Sequence, residues 1–255
     1  MQRKTVIRQD YLSMKEDVDD VIDNFKNHPK ILGDAERNVI KIVSLYDRFY
    51  TIKSFKIPNL INQIAYRFVR KSKAERSYMY ANKLLALKIK TPVPIAYKIE
   101  TTFFLFKKSF YVSELVNCDL TYRDLTFDFD IPDYEEILRA FTRFTYLLHK
   151  NKVNFLDHSP GNTLIKRKKD GYDFYLVDLN RMKFEDMDFE TRIKNFAKLT
   201  IHKSMVETMS NEYAKCTGED EDDISNLMWK YTQEFQNRYY RKDRLKKRIL
   251  FWRKR

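Results

Sequence analysis

Asn154-Phe155-Leu156-Asp157-His158-Ser159-Pro160-Gly161-Asn162, followed by Tyr175-Leu176-Val177-Asp178-Leu179-Asn180-Arg181, is the stretch on which the reading of this chain turns. It reads as a loop between two β-type segments, spanning 153–184. Asp157 and Asn162 stand five positions apart, and Pro160-Gly161 makes the turn between them tight. Asp178 ends the apolar run 174–177, where a strand holds a carboxylate rigidly. An aspartate can accept a proton, while an amide and a second carboxylate offer oxygen ligands of the kind magnesium prefers. A strand-terminal aspartate is common, and the Asp-x4-Asn spacing alone is a weak signal. The two together, separated by a hairpin at 166–173, are much less common.

Upstream of this loop the residues Ile137, Leu138, Phe141, Phe144, Leu147 and Leu148 recur at spacings of three and four. They predict a helix over 133–150 that delivers the chain into the loop, with Pro132 and Asp133 suiting its start. Earlier still, β-type runs at 39–45 and 49–55 form a meander with 30–32. Lys53 lies in the third run. Lys56, three residues on, falls on the opposite face of that strand. A helix over 67–88 follows, with Glu75 in its first half, and Thr91-Pro92-Val93-Pro94 stops it. Strands at 95–104 and 109–116 complete five. Taken alone, Lys53 and Glu75 read more readily as solvated charges than as parts of a site.

Asp, Asn and Asp in this order, preceded by a strand lysine and a helix glutamate, match the parts that phosphoryl transfer uses. In that chemistry the first Asp orients the attacking hydroxyl, and the Asn and second Asp hold magnesium against nucleotide phosphates. His158 follows Asp157 immediately and would point elsewhere, so a structural or substrate-side role suits it better than general base. Four scattered histidines with no HxxxH pair predict no zinc site.

Size and composition fit this reading. The chain has 255 residues, 43% of them hydrophobic and 15% aromatic, enough for a packed core in one domain or two small lobes. Cys118 and Cys216 form no CxxC pair, and ordinary thiols of a reducing compartment are expected. Residues 1–12 are charged throughout, and no apolar run approaches the ~20 residues needed to span a bilayer. The expected location is cytoplasmic. Residues 236–255 hold ten Lys or Arg against one Asp, nine of the thirteen net positive charges. An acidic partner is therefore to be sought at this tail first.

The segments around Asp157–Asn162 and Val177–Arg181 resemble the lipopolysaccharide core kinase (Kdo/WaaP) family of the protein-kinase-like superfamily. So do Thr51-Ile52-Lys53-Ser54-Phe55-Lys56, Ser72-Lys73-Ala74-Glu75-Arg76-Ser77 and Lys90-Thr91-Pro92-Val93-Pro94. The resemblance covers roughly 30–200. It implies an α+β, bilobal protein-kinase-like fold: a small five-stranded antiparallel N-lobe with one helix over 30–116, a mainly helical C-lobe over 117–235, and a basic tail over 236–255. It also implies ATP- and Mg2+-dependent phosphorylation of a sugar hydroxyl, Kdo or heptose, in the inner core of lipopolysaccharide. By that match Asp157 is the catalytic base and Asn162 and Asp178 hold metal. Lys53 binds phosphate, Glu75 pairs with it, and Glu114 falls in the hinge that receives the nucleotide.

The departures from protein kinases are specific. Phe155-Leu156 replaces the His-Arg before the catalytic Asp, Leu179-Asn180 replaces Phe-Gly, and Ser159 stands where many carry a phosphate-contacting lysine. With four glycines and no GxGxxG, the phosphate cover falls to the turn 33–38, with Arg37 or Asn38 contributing. These features favour a glycan or small-molecule kinase over a regulated protein kinase. A lipopolysaccharide core or lipid A precursor is the expected substrate. The tail suits peripheral contact with the anionic inner membrane, with Phe251 and Trp252 entering the interface. No nucleic acid is expected. The rival readings are a kinase of another small molecule or of protein, and a non-catalytic membrane- or nucleic-acid-binding protein on the same scaffold.

Overall fold

A computed structural model describes the backbone of residues 1–29, 31–32 and 38–253, and their side chains except those of 246 and 249–253. The expected phosphate cover therefore lies outside the described residues apart from Asn38, as do the side chains of Phe251 and Trp252. The strands are β1 (Gln2–Ile7), β2 (Ile31–Leu32), β3 (Asn38–Leu45), β4 (Arg48–Phe55), β5 (Pro94–Thr101), β6 (Phe106–Glu114), β7 (Leu120–Thr121), β8 (Val153–Phe155), β9 (Thr163–Lys168), β10 (Gly171–Leu176) and β11 (Met182–Phe184). The α-helices are α1 (Lys15–Asp23), α2 (Leu60–Phe68), α3 (Lys73–Ala86), α4 (Tyr134–Lys150), α5 (Phe189–Lys194), α6 (Lys203–Thr217) and α7 (Glu221–Arg253). The chain divides into two compact units. The first takes Met1–Asn117 together with Tyr175–Arg181, and the second takes the remainder.

The first unit is built on one antiparallel sheet in the order β1-β5-β6-β4-β3-β2. It has six strands rather than the expected five, because residues 2–7, outside 30–116, add a strand at its edge. Gln2 to Ile7 pair with Thr101 to Ala96, and Thr5 Oγ1 donates to Asp19 Oδ1 of α1 at 2.9 Å. The strand lies at the sheet edge, so its outer residues stay charged and the apolar alternation that announces an inner strand is missing. Between residues 30 and 116 the unit carries two α-helices, α2 and α3, rather than one. Pro58 and Asn59 open α2, where Asn59 accepts from the Asn62 N–H, and Ser72 opens α3 by accepting from the Glu75 N–H at 3.1 Å.

Period-two alternation assigns the two faces of this sheet. Ile52, Val112 and Ala96 are in register and bury against Val18, Val21 and Ile22 of α1. The next set, Lys53, Tyr111 and Tyr97, points to the other face, where Phe55, Tyr97 and Tyr111 pack with Ala74 and Tyr78 of α3. Lys53 is thus carried on the α3 side. The β3–β4 hairpin closes through Tyr46 and Asp47, both at positive φ (50° and 59°), as a tight two-residue turn demands.

The second unit is mainly helical. Its core gathers Phe141 of α4, Phe196, Met205 and Tyr213 of α6, and Met228 of α7 around Tyr122. Helix α6 was not expected as a separate element, although Met205, Val206, Met209 and Tyr213 bury at helical spacing. Its polar residues fall between these positions and thin the pattern. Helix α7 runs on without a break from an acidic first turn (Glu221, Asp222, Asp223) through the basic segment. The charges at its two ends complement the helix dipole.

Candidate active site

The two carboxylates singled out from sequence lie in different units, and each has its own surroundings. In the first unit, Lys53 Nζ sits 2.6 Å from Asp178 Oδ1, and the lysine side chain is 13% exposed. The ammonium also lies over the Phe55 ring, 5.3 Å from its centroid. Asn180 Nδ2 donates to the same Oδ1 at 2.6 Å. Asp178 adopts φ +57°, a left-handed conformation that aspartate tolerates better than most side chains. The segment is tied to its unit by backbone: the Leu176 N–H donates to Lys90 O at 3.1 Å, and Thr91 Oγ1 donates to Leu176 O at 2.7 Å. Lys90 and Thr91 thereby position the strand that ends in Asp178.

The carboxylate placed against Lys53 is that of Asp178, and Glu75 is described by its own surroundings. It occupies the third position of α3 in a Ser-x-x-Glu start, and its charge helps raise the Tyr97 phenol, whose burial is the larger cause. Glu114, the hinge candidate, closes β6. Its N–H donates to Val93 O at 2.9 Å, and its Oε1 accepts from Tyr11 Oη at 2.7 Å. Burial, then that bond, raises the Tyr11 phenol well above its ordinary range. Glu114 lines a cleft with Arg48, Phe49, Tyr50, Leu115 and Asn117.

In the second unit, Asp157 follows β8, which is held by antiparallel pairing with β11. The turn closes through the His158 N–H to Phe155 O (3.0 Å) and the Asn162 N–H to Ser159 O (2.9 Å). Asn162 Nδ2 donates to Asp157 O at 2.8 Å and to Ser159 Oγ at 3.1 Å, which leaves its Oδ1 as the amide's remaining acceptor. Asp157 and Asn162 are therefore brought together as their spacing predicts. Lys198 Nζ donates to Leu156 O at 2.5 Å and stands 3.5 Å from Asp157 Oδ1. It places beside the aspartate a cation that position 159 does not supply. The Arg123 guanidinium rests on the same turn, where a Cβ on Gly161 would lie 2.8 Å from its Nη2.

Beneath the turn, Asn195 Oδ1 accepts from His158 Nδ1 (3.1 Å) and His149 Nε2 (3.3 Å), and its Nδ2 donates to Phe155 O (3.0 Å) and Asn154 Oδ1 (3.3 Å). His158 is buried between Phe141 and Phe155, and that burial pulls its pKa down to about 4. It is a neutral structural residue, as its position beside Asp157 suggested. Asn195, Lys198 and Asn180 are the residues that sequence spacing does not reveal as parts of these two clusters.

The donors fit magnesium. Asp178 takes both of its recorded hydrogen bonds on Oδ1, and Asn162 directs its amide nitrogen into its own turn, so each offers an oxygen. Among the described residues no group of three His, Cys, Asp or Glu side chains could hold a metal by itself. One oxygen donor in each unit suits an ion that arrives with phosphate oxygens and water rather than one caged by protein.

No family model matches the chain, and no curated protein matches it in sequence. Among solved structures it is similar to WaaP in complex with acyl carrier protein, with a TM-score of 0.63 and 14% sequence identity, over 92% of this chain and 98% of that one. The resemblance to the lipopolysaccharide core kinase (Kdo/WaaP) family holds at the level of fold: this chain has the α+β, protein-kinase-like architecture of WaaP.

Proposed function

We propose that this chain is a kinase that transfers the terminal phosphoryl group of ATP to a sugar hydroxyl, Kdo or heptose, of the lipopolysaccharide inner core. The observation that supports the reading is the Lys53–Asp178 pair, a cation and a carboxylate 2.6 Å apart on a segment tied at Leu176 by Lys90 O and the Thr91 hydroxyl. Bound magnesium, held by Asp178 and Asn162, would supply charge neutralisation at the phosphates. Lys53 then contacts phosphate oxygens. Asp157 accepts the proton of the acceptor hydroxyl, and Lys198 beside it stabilises the carboxylate and limits its rotation. The cleft at Glu114 receives the base of the nucleotide at the edge of β6.

Residue chemistry around Asp157 favours a constitutively competent enzyme. The place of the His-Arg pair is taken by Phe155, which is fully buried against His158, and by Leu156. An arginine there would anchor a phosphorylated activation loop; an alkyl side chain cannot. A glycan acceptor accords with this.

The test is transfer of radiolabel from ATP to purified core oligosaccharide, comparing the wild type with Asp157→Asn. Transfer by the wild type and its loss in the variant is the expected result. Nucleotide-dependent thermal stabilisation without transfer to glycan would move the acceptor to another hydroxyl compound. Neither stabilisation nor transfer would overturn the kinase reading.

A further inference from the structure

Helix α2 turns its apolar side outward. Leu60, Ile61, Ile64 and Phe68 share one helical face and are 60%, 78%, 47% and 61% exposed. Its polar residues face the protein instead: Gln63 Nε2 donates to Pro58 O at 2.9 Å, and Arg67 Nε donates to Thr102 O at 3.1 Å and Phe103 O at 3.3 Å. The Arg67 bonds tether α2 to the β5–β6 turn, where Phe103 and Phe104 form an edge-on ring pair and are 72% and 66% exposed. Val69, just beyond the helix, is also exposed. These seven apolar side chains of the first unit, with Leu60, Ile61, Ile64, Phe68, Phe103 and Phe104 the largest, form a patch of the kind that marks an interaction surface.

The surrounding charge selects the occupant. Residues 56–74 contain Lys56, Arg67, Arg70, Lys71 and Lys73 and no Asp or Glu. Residues 101–113 contain Lys107 and Lys108 and again no acid. A cleft of about 310 Å³ beside the start of α2 is lined by Lys56, Asn59, Asn62 and Lys73. An apolar helix face in a segment with a surplus of cations has the composition of a helix that lies in the interface of an anionic bilayer.

We propose that α2 and the β5–β6 turn form a membrane-docking face, which seats Leu60, Ile61, Ile64, Phe68, Phe103 and Phe104 among the headgroups of an anionic bilayer. This face is separate from the basic end of α7. The proposal rests on exposure and charge in the first unit and not on the kinase reading.

Flotation of the full chain with vesicles, without nucleotide, tests it. Vesicles of phosphatidylcholine alone and of phosphatidylcholine mixed with phosphatidylglycerol are compared. The wild type is expected to float with the mixed vesicles only. Ile61→Ser/Ile64→Ser/Phe68→Ser should weaken that binding at least about tenfold, and Phe103→Ser/Phe104→Ser should also weaken it. Both variants replace exposed side chains, so their melting temperatures should stay at the wild-type value. Arg241→Glu/Lys242→Glu/Arg244→Glu should keep most of the binding. The proposal is overturned if the wild type fails to float, if both serine variants float as well as the wild type, or if binding is lost only in the α7 variant. It is also overturned if light scattering shows a wild-type oligomer that the serine variants dissolve while vesicles capture neither. Because no ATP is present, failure here leaves the kinase reading untouched.

Discussion

Lys53 Nζ and Asp178 Oδ1 stand 2.6 Å apart although 125 residues separate them in sequence. Three things make the pair: the strand face that carries Lys53, the left-handed turn at Asp178, and the bonds from Lys90 and Thr91 to Leu176. Removing either charge leaves the other half-buried without its counter-ion. Lys53→Met and Asp178→Asn should each lower kcat/KM for ATP by ~10²–10³, the usual scale for one electrostatic group in a phosphoryl-transfer site. The double variant should fall little further than either single one, because the residues act as a unit. Thr91→Val, which touches only the anchor, should lower activity less and cost about 1 kcal/mol of stability. Steady-state kinetics with urea unfolding separates these effects, and additive losses in the double variant would refute the coupling.

In the proposed reaction Asp157 and Lys198 divide the work on the acceptor side. Asp157→Asn keeps the size of the side chain and removes its basicity, so kcat should drop by ~10²–10⁴ with little change in KM for ATP. Lys198→Ala removes the bond to Leu156 O as well as the cation near the carboxylate. It should lower kcat less than Asp157→Asn, and Lys198→Arg should restore part of the loss. Equal losses in the alanine and arginine variants would mean that lysine geometry rather than positive charge is what Asp157 needs.

The cluster that was legible in sequence is the local one. Asp157, Ser159 and Asn162 lie within six residues, and their hydrogen bonds follow from the turn that Pro160-Gly161 makes. Asp178 was legible because it ends an apolar strand, and Lys53 because strand order and alternation placed it. Lys198 and Asn195 reach the same turn from about forty residues downstream, through the fold of α5 and the loop after it, and nothing in their local sequence points there. Glu75 shows a related limit of local sequence. Ser-x-x-Glu describes a helix start as well as it describes an ion-pair partner, and the carboxylate found against Lys53 is that of Asp178. In the fold, β1 was hidden because an exposed edge strand needs no apolar alternation, and α2 because its apolar face points away from the core.

Asn195 holds four groups beneath the Asp157–Asn162 turn and contributes to no step of the proposed reaction. Asn195→Leu would leave the His149 and His158 N–H groups and one of the bonds to Phe155 O unmet. A loss of about 2–4 kcal/mol is expected, since buried donors without partners cost more than the bond itself is worth. Activity per folded molecule should fall as well, because Phe155 O and the His158 N–H define the turn that presents Asp157. Thermal melting and kinetics at a temperature where both proteins are folded check the two parts. An unchanged melting temperature would show that water replaces the amide.

Burial pulls the pKa of His149 down to about 3 and that of His158 to about 4, against about 6.5 in an unfolded chain. Hydrogen bonding to Asn195 opposes both shifts without cancelling them. Below pH 6.5 the unfolded chain therefore takes up protons that the folded chain refuses, and by linkage stability falls as pH falls. Above pH 6.5 both forms are largely neutral and the slope is small. Between pH 7.5 and 5 each histidine should withdraw about 2 kcal/mol, before the carboxylates held low by their partners, such as Glu212 beside Arg143 and Arg139, begin to titrate in the unfolded chain. Urea unfolding at pH 7.5, 6 and 5 measures the slope. Asn195→Asp, which sets a carboxylate against both imidazoles, should raise the histidine pKa values toward or past 6.5 and flatten the profile. A wild-type profile that is already flat over this range would show that the histidines are solvated in the folded protein.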